Sequence, residues 1–483
     1  MRNICRIVVA VAVGLLVTAP AFGQEPTDTE KRIRDLEQQV QQLQKKDAAK
    51  TQAKAEDKAS AAKEKDPAAK EKKKQEFESF SYRMDGRVFL DGTWFSGSNN
   101  LLSGGTTLRA IRVGWKLTMG PLWYGEAELE FASGGIAYKD MYLQYNGLGE
   151  HQILQLGHVK APIGFDTLMS NVNIFTMDRS FTDLWNPSRH VGVNYAIWSD
   201  RLFFKGAFFG QALDDTAGNL NDASDLGYKI VDQQGYGGAA RFVALPLLQD
   251  ATHLVHVGVA AAQWMPAAGA PKVYAVDFSG RPSVGKINGA KFLNATVTNV
   301  DHNLEIGAEF AGQWGHFSWL SEYQQMRVVR KGTPTQIWDA TNLKLVAPTP
   351  AQAQAATVNH TFSTWYALVS YVINGQREYR GGQDFIFKGT TPSSKWGALE
   401  LVARYEVGHQ DDLTDIDPVK GGIEKILTLG VNYYPRKNLR FMVNYGFVEN
   451  NENAMCSKGY SPTGAKIQDP HFTTFATRIA YNF

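Results

Sequence analysis

Apolar and polar side chains alternate strictly over most of this chain, and this pattern limits its possible folds more than any other feature. Between residues 475 and 483, the odd positions hold Phe, Thr, Ile, Tyr and Phe, whereas the even positions hold Ala, Arg, Ala and Asn. The same alternation recurs in residues 126–131, 304–311, 399–407 and 439–447. Because successive side chains of a β-strand point to opposite faces, each segment predicts a strand with one apolar and one polar face.

Strands of this kind occur in two architectures, and the alternation by itself does not separate them. A soluble sandwich turns its apolar faces toward a shared core, whereas a membrane barrel turns them toward lipid and lines an aqueous lumen with the polar faces. A sandwich of roughly 400 residues would need several domains, but no change of composition divides residues 77–483. We therefore predict an all-β fold, a transmembrane antiparallel β-barrel over residues 77–483, with about 16 strands at roughly 25 residues per strand and connection.

The first 23 residues have the order of a secretory signal peptide. Arg2 and Arg6 precede an apolar run over residues 7–17, which is followed by the short stretch APAFG. The run is shorter than the roughly 20 apolar residues that a spanning helix needs, although a membrane anchor is the alternative interpretation. We expect cleavage after Gly23, or alternatively after Ala21. An exported barrel predicts the outer membrane of a Gram-negative-type bacterium as its location.

Removal of this leader changes both the cysteine count and the charge balance. Cys5 is lost, so Cys456 is the only cysteine of the mature sequence, and neither an intrachain disulfide nor a thiolate metal cluster is expected. Two of the 50 basic residues are also lost, and the remaining 48 equal the 48 acidic residues. Such a balance provides no bulk positive field to attract nucleic acid. Any ion selectivity must come from the local placement of charges, and no cofactor is predicted.

Two further segments precede the alternating region. Residues 24–46 are charged and Gln-rich, with an apolar seam spaced three, four and three residues apart that consists of Ile33, Leu36, Val40 and Leu43. This spacing predicts a short coiled coil formed with copies of itself, because an isolated helix of this length is marginally stable. A solvated helix without partners is the alternative. Residues 47–76 are almost entirely Lys, Ala, Glu, Asp and Gln, and predict a flexible or partly helical spacer.

Several stretches of the alternating region carry a resemblance to a known family. They are RAIRVG at 109–114, LGHVKAPIGF at 156–165, FTMDRS at 175–180, WGALELVARY at 396–405, LGVNYYP at 429–435, LRFMVNY at 439–445 and RIAYNF at 478–483. In this order and spacing, they resemble the phosphate-selective porin O and P family of bacterial outer-membrane porins. The first stretch looks like the family's strand with paired arginines, and the next two look like the strand and the inward-folded third loop that follows it.

The resemblance implies a function and an assembly. It implies a water-filled channel for passive uptake of small solutes, in particular anions such as phosphate or polyphosphate, formed by a homotrimer of 16-stranded barrels in outer-membrane lipid. A loop would constrict each pore, and the N-terminal coiled coil would lie in the periplasm, with possible peptidoglycan contact. The alternative interpretation is a general, non-specific porin whose N-terminal segment also tethers the cell wall.

Basic residues are the candidates for holding a permeating anion, since arginine offers a charged, planar donor fork that matches phosphate oxygens. The resemblance assigns Arg109 and Arg112 to the wall of the pore, Lys160 to the start of the loop and Arg179 to the loop itself. Strand phase independently predicts that Arg112 and Lys116 face the lumen, whereas Arg109 falls on the opposite phase, at a strand edge. For each of these residues, the alternative role is an ion pair that braces the barrel.

The sequence also departs from the family pattern. Ala110 stands where the family has the second of its paired arginines, and residues 164–178 contain no lysine. The lumen-facing phase carries acids as well, which are Glu126, Glu128, Glu130, Glu305 and Glu309. Phosphate selectivity is therefore a separate question from family membership.

Motifs that would indicate an enzyme lack the context that their chemistry needs. Residues 280–286 have phosphate-loop spacing, but Ile287 stands where a magnesium-binding Ser or Thr is required. His253 and His256 are three apart in a strand-like segment and face opposite sides, so they cannot chelate one metal ion. No Gly-x-Ser-x-Gly sequence occurs. We therefore predict no catalytic residue and no metal site.

Overall fold

A computed structural model describes most of the alternating region. The described residues are 79–97, 102–132, 135–213, 235–266, 276–279, 287, 290–297, 299–332, 337–339, 344–460, 466–468 and 470–483. The predicted signal peptide (1–23), coiled coil (24–46) and spacer (47–76) lie outside these residues. Within them, no helix is both long enough and apolar enough to cross a membrane.

The described residues form 24 strands and few helical turns. The strands are β1 (Phe80–Ser96), β2 (Gly105–Met119), β3 (Trp123–Glu130), β4 (Ala137–Tyr145), β5 (Gln152–Lys160), β6 (Arg189–Trp198), β7 (Leu202–Phe209), β8 (Tyr236–Asp250), β9 (His253–Met265), β10 (Val276–Ser279), β11 (Asn294–Val297), β12 (Val300–Trp314), β13 (Phe317–Arg330), β14 (Ile337–Asp339), β15 (Lys344–Val346), β16 (His360–Ile373), β17 (Gly375–Arg380), β18 (Ile386–Pro392), β19 (Ala398–Asp412), β20 (Val419–Arg436), β21 (Leu439–Asn450), β22 (Met455–Tyr460), β23 (Lys466–Gln468) and β24 (His471–Asn482). The helices are α1 (Phe165–Leu168), α2 (Pro350–Ala355) and a 3₁₀ helix (Phe181–Leu184).

Within the described residues, sixteen of these strands close into one barrel. Their order around the wall is β1–β9, β12, β13, β16, β19, β20, β21 and β24. The last strand, β24, pairs antiparallel with both β21 and β1, which completes the ring. A closed ring has no edge strand, so the backbone groups of every barrel strand find partners within the wall. The predicted all-β barrel of about 16 strands is confirmed.

The alternating pattern decides which side chains face outward. On β24, Phe475, Ile479 and Tyr481 are 42–45% exposed on the outer surface, whereas Arg478 is 2% exposed and lies inside. The strands β19 and β21 show the same division. The outer surface is therefore apolar, as contact with acyl chains requires, and the polar faces line the interior.

Two chain segments enter the barrel from opposite ends and meet inside it. One is the connection between β5 and β6 (residues 161–188, here the inward loop), which belongs to the end that carries the long connections. The other is the β17–β18 hairpin (residues 375–392, here the inner hairpin), which belongs to the end with short turns such as 120–122 and 199–201. The ring of Phe387 in the inner hairpin lies 5.8 Å from that of Phe165 and 5.4 Å from that of Phe175. An apolar cluster thus joins the two segments.

The inward loop turns sharply where it enters α1. Gly164 has a φ of +75°, a backbone conformation that residues with a Cβ atom rarely adopt. A Cβ at this position would lie 2.1 Å from Nδ2 of Asn186, which donates a 2.6 Å hydrogen bond to Oγ1 of Thr167. The start and the end of the inward loop are therefore held together, and this closeness requires glycine.

Candidate functional site: a basic cavity inside the barrel

Buried arginines fasten the inward loop to the far wall of the barrel. Each donates a hydrogen bond to a backbone carbonyl of the loop, and the donors are Arg377 of the inner hairpin, Arg404 of β19, Arg440 of β21 and Arg478 of β24. The accepting carbonyls belong to Asn173, Asp178, Ile174 and Met177, in the same order. The loop is thus held along a row of guanidinium groups rather than by its own secondary structure.

Neighbouring carboxylates largely neutralise the charges of three of these arginines. Arg377 forms a two-pronged ion pair with Glu400 at 2.8 and 2.9 Å. Arg478 does the same with Asp91, with both distances 2.7 Å, and Arg404 lies 2.7 Å from Glu406. Since these pairs are almost fully buried, they brace the loop and offer little charge to a permeating ion.

A cavity of about 520 Å³ lies on the other side of the inward loop, between this loop, the inner hairpin and the wall strands β1–β8. Among the described lining side chains, eleven are basic, namely Arg83, Arg87, Arg112, Lys116, Lys160, Arg179, Arg189, Lys205, Arg241, Arg380 and Lys388. Four are acidic, namely Glu126, Glu128, Asp140 and Asp384. This main cavity therefore has a strongly positive lining in a protein whose predicted mature chain carries no net charge.

Arg109 does not lie where strand phase predicts it. A β-bulge interrupts the pairing of β1 and β2, because Phe89 pairs with Ala110 whereas Leu90 pairs with Leu108, and Arg109 is the extra residue between them. It lies in the middle of β2 and not at a strand edge. Its Nη2 atom is 3.6 Å from Oδ1 of Asp178 on the inward loop. The predicted phase is therefore wrong, since a bulge shifts the alternation by one residue.

Arg112 and Lys116 line the main cavity, as their phase predicts, but both are ion-paired. Arg112 lies 2.8 Å from Glu128 and 2.6 Å from Glu130 on the adjacent strand. Lys116 pairs with Asp85 and lies 3.9 Å from Glu126. Acidic residues that face the lumen thus form ion pairs with Arg112 and Lys116. Bracing of the barrel therefore accounts for much of the geometry of these two cations.

Lys160 and Arg179 also line the main cavity, and both support the inward loop. The Lys160 ammonium donates to the carbonyls of residues 167, 168 and 169, at the C-terminal end of α1, where the partial negative charge of the helix favours a cation. Arg179 donates to the carbonyls of Asp166 at 2.9 Å and Met169 at 2.7 Å. Arg179 does not pair with its neighbour Asp178, which instead faces Arg109.

The cations of the main cavity that lack a carboxylate partner among the described residues are mostly ones that neither strand phase nor the family resemblance indicated. Arg83, Lys160, Lys205 and Arg380 make no ion pair in the part of the chain that the structure describes. Lys205 donates to Oε1 of Gln155 at 2.8 Å, a neutral partner. A single lysine on the inward face of the apolar strand β7 was an available signal. The pattern contained no comparable signal for Arg380, because its placement depends on the hairpin entering the barrel.

The tip of the inner hairpin is fixed beside this cavity. Arg241 of β8 donates to the carbonyls of Asp384 at 2.9 Å and Phe385 at 3.2 Å. Burial alone would raise the pKa of the Asp384 carboxyl, but Lys388, at 2.8 Å, together with Lys205 and Arg380, holds that pKa below its ordinary value. Asp384 therefore remains charged at neutral pH and offsets part of the positive lining.

The model of the family described as phosphate-selective porin O and P matches residues 103–483, which is most of the sequence. The chain belongs to the phosphate-selective porin O and P family. It is an outer-membrane porin, and its barrel forms a channel. Among the described residues, no group of three His, Cys, Asp or Glu side chains is placed to hold a metal ion.

Two further comparisons concern curated proteins and solved structures. A search of curated proteins found no match for this porin. Solved structures with a similar fold include the trimer form of OmpT from Vibrio cholerae, at 10% identity and a TM-score of 0.46, covering 84% of this chain and 100% of that one. The outer-membrane channel DcaP of Acinetobacter baumannii matches at 11% identity and a TM-score of 0.45, covering 84% and 99%. Salmonella typhi OmpF in complex with daunomycin matches at 13% identity and a TM-score of 0.44, covering 85% and 99%.

Proposed function

We propose that this porin passes small anions, with phosphate-like oxyanions as its preferred class. The observation that carries the proposal is the group of cations on the main cavity that lack a carboxylate partner, which are Arg83, Lys160, Lys205 and Arg380 within the described residues. Fixed charges of one sign in a narrow passage with low-dielectric walls concentrate ions of the opposite sign.

The arrangement of these cations suits transit better than tight binding. They come from four different elements, namely β1, β5, β7 and the inner hairpin. An ion that meets several moderate sites can move from one to the next, whereas one deep site would trap it. The guanidinium groups of Arg83 and Arg380 can each offer two parallel donors to an oxyanion, which favours phosphate over chloride.

Current measurements in planar bilayers test both parts of this proposal. In a potassium chloride gradient, the reversal potential should show that chloride carries more current than potassium. Added phosphate should lower the chloride current at millimolar concentration, because it occupies the cation-lined cavity with a stronger donor match. A reversal potential that favours potassium would contradict anion preference. A chloride current that is insensitive to phosphate would contradict phosphate preference alone.

We also propose that the porin is a homotrimer whose predicted coiled coil (residues 24–46) lies in the periplasm and pairs the three N-terminal segments. Its support is the apolar seam formed by Ile33, Leu36, Val40 and Leu43. Peptidoglycan contact through residues 24–76 belongs to the same proposal.

Deletion of residues 24–76 tests the role of this segment. The signal peptide stays in place, so the shortened porin should still reach the outer membrane and conduct. We expect the trimer to dissociate at a lower temperature in detergent, because the helical pairing is lost, and co-sedimentation with peptidoglycan to fall. An unchanged dissociation temperature would contradict the coiled coil, and unchanged co-sedimentation would contradict the wall contact.

A further inference from the structure

A second cavity, here the side cavity, lies in the interior of the barrel, and no described residue of the inner hairpin lines it. It has a volume of about 170 Å³ and lies between the C-terminal end of the inward loop and the strands β6, β9, β12 and β13. Its lining includes Trp185, His190, Trp264, Asn303, Glu305 and Met326. None of the basic residues that line the main cavity lines this side cavity in the described part of the chain.

The strand register explains why space remains there. Glu305 on β12 lies opposite Ala262 on β9, whose small side chain fills little of the volume above the carboxylate. Two residues along, Asn303 lies opposite Trp264, so an indole borders the space that Ala262 leaves open. Glu305 and Asn303 are separated by two residues on one strand and therefore share its inward face. The cavity is a consequence of one small residue between large neighbours.

The Glu305 carboxylate is buried without a partner. It is 2% exposed, and neither oxygen accepts a hydrogen bond or joins an ion pair with any residue that the structure describes. Oδ1 of Asn303 likewise lacks a donor among these residues. Burial of a carboxylate without compensation is strongly unfavourable. Neighbouring inward-facing acids are satisfied, since Glu309 pairs with Arg241 at 2.7 Å.

The remaining lining is aromatic. The indoles of Trp185 and Trp264 border the cavity, and the His190 ring packs against Trp264 at 5.0 Å and against Phe209 at 4.9 Å. Aromatic faces attract cations, and a carboxylate beside them strengthens the attraction. Three side-chain oxygens from Glu305 and Asn303 are too few for the shell of six to eight that a calcium ion takes. The lining therefore favours an organic cation over a hard metal ion.

We propose that the side cavity binds a small organic ammonium ion, with the Glu305 carboxylate as its counter-ion, the Asn303 amide oxygen as a hydrogen-bond or dipole partner and the two indoles as its walls. This site is separate from the proposed anion passage, because it uses a different part of the barrel interior. A bound ammonium ion compensates the charge of the buried Glu305 carboxylate and supplies the partner that the described residues do not provide.

Isothermal titration of the full-length porin in detergent with tetramethylammonium chloride tests this site. Wild-type protein should bind the ion, and Glu305→Gln should weaken binding at least tenfold, because the isosteric amide removes the counter-ion. Glu424→Gln is the matched control, since Glu424 is equally buried, has no partner for its carboxylate oxygens in the described residues and does not line the side cavity. This control should bind as the wild type does.

A second variant tests the space rather than the charge. Ala262→Leu fills the volume opposite Glu305 and should abolish binding while the carboxylate remains. It also keeps the test decisive if Glu305→Gln fails to fold. Absence of binding by the wild type, or wild-type affinity in both variants, would overturn the proposal. Equal displacement of tetramethylammonium by potassium chloride would overturn it in favour of an alkali-metal site. None of these outcomes bears on the anion current, which is measured separately.

Discussion

Replacement of Arg377 by methionine is expected to lower the free energy of unfolding by about 3–5 kcal/mol, because it leaves the buried Glu400 carboxylate without its cation. Arg377 and Glu400 are both 0% exposed and share a two-pronged ion pair. The same guanidinium donates to the carbonyls of Asn173 on the inward loop and Lys388 on the inner hairpin, both at 2.8 Å. Its loss therefore removes one point at which the inward loop, the inner hairpin and the wall are joined.

Urea unfolding in detergent micelles measures this effect, and single-channel recording measures its consequence for the pore. We expect a larger and noisier conductance, since the inward loop is less firmly held. For the unfolding measurement, Arg380→Met is the matched control, because it removes a cation three residues away on the same hairpin that has no ion pair in the described part of the chain. The double variant Arg377→Met with Glu400→Gln should recover part of the lost stability. A single variant as stable as wild type would show that the ion pair does not hold the loop.

Reversal of charge at Lys205 and Arg380 together is expected to lower the chloride-to-potassium permeability ratio at least tenfold. Each site lines the main cavity, and neither makes an ion pair with a described residue. A unit charge acts on an ion at roughly 8 Å with about 2 kcal/mol when the effective dielectric constant is about 20. Two reversals each change the charge by two units, so even strong screening leaves an effect above the tenfold threshold of about 1.4 kcal/mol.

Reversal potentials of Lys205→Glu with Arg380→Glu, recorded at low and high salt, check this expectation. The effect should shrink at high salt, because mobile ions screen the fixed charges. Lys395→Glu with Lys437→Glu makes the same change of charge at exposed positions that do not line the main cavity, and it should leave the ratio near that of wild type. If the cavity variant retains the wild-type ratio, these two cations do not set the selectivity of the porin.

Individual cations show why the sequence predicts which side chains face the lumen better than it predicts which of them are available to bind an anion. Arg112 and Lys116 face the main cavity as strand phase predicts, because alternation is a local property of the strand. Whether such a cation is compensated depends on its neighbours on other strands. Arg112 meets Glu128 and Glu130 across the β2–β3 pairing, whereas Lys205 on β7 meets the neutral side chain of Gln155. Strand phase alone therefore cannot tell which of these cations are compensated by a carboxylate.

Local irregularities limit the sequence analysis in another way. A single extra residue in β2 turns Arg109 toward Asp178, contrary to its expected phase. Nothing in an alternating pattern marks where a bulge falls, since the residues on either side of it still alternate. The inner hairpin is a similar case, because β17 and β18 are extended segments like those of the wall but, in the described part of the chain, pair only with each other.

The sequence by itself determined the barrel and its approximate number of strands, through the alternation together with the length and uniform composition of residues 77–483. It also determined the face that each strand turns toward lipid, because the side chains of an extended backbone repeat every two residues. Only the tertiary structure decided which charged side chains form the ion pairs that brace the barrel. Arg404 reaches Asp178 across 226 residues of sequence, and Arg478 reaches Asp91 across 387. Contacts this distant form only when the ring closes around the inward loop and the inner hairpin. Within the described residues, the cations that lack an ion pair are those that this closure does not bring to a carboxylate.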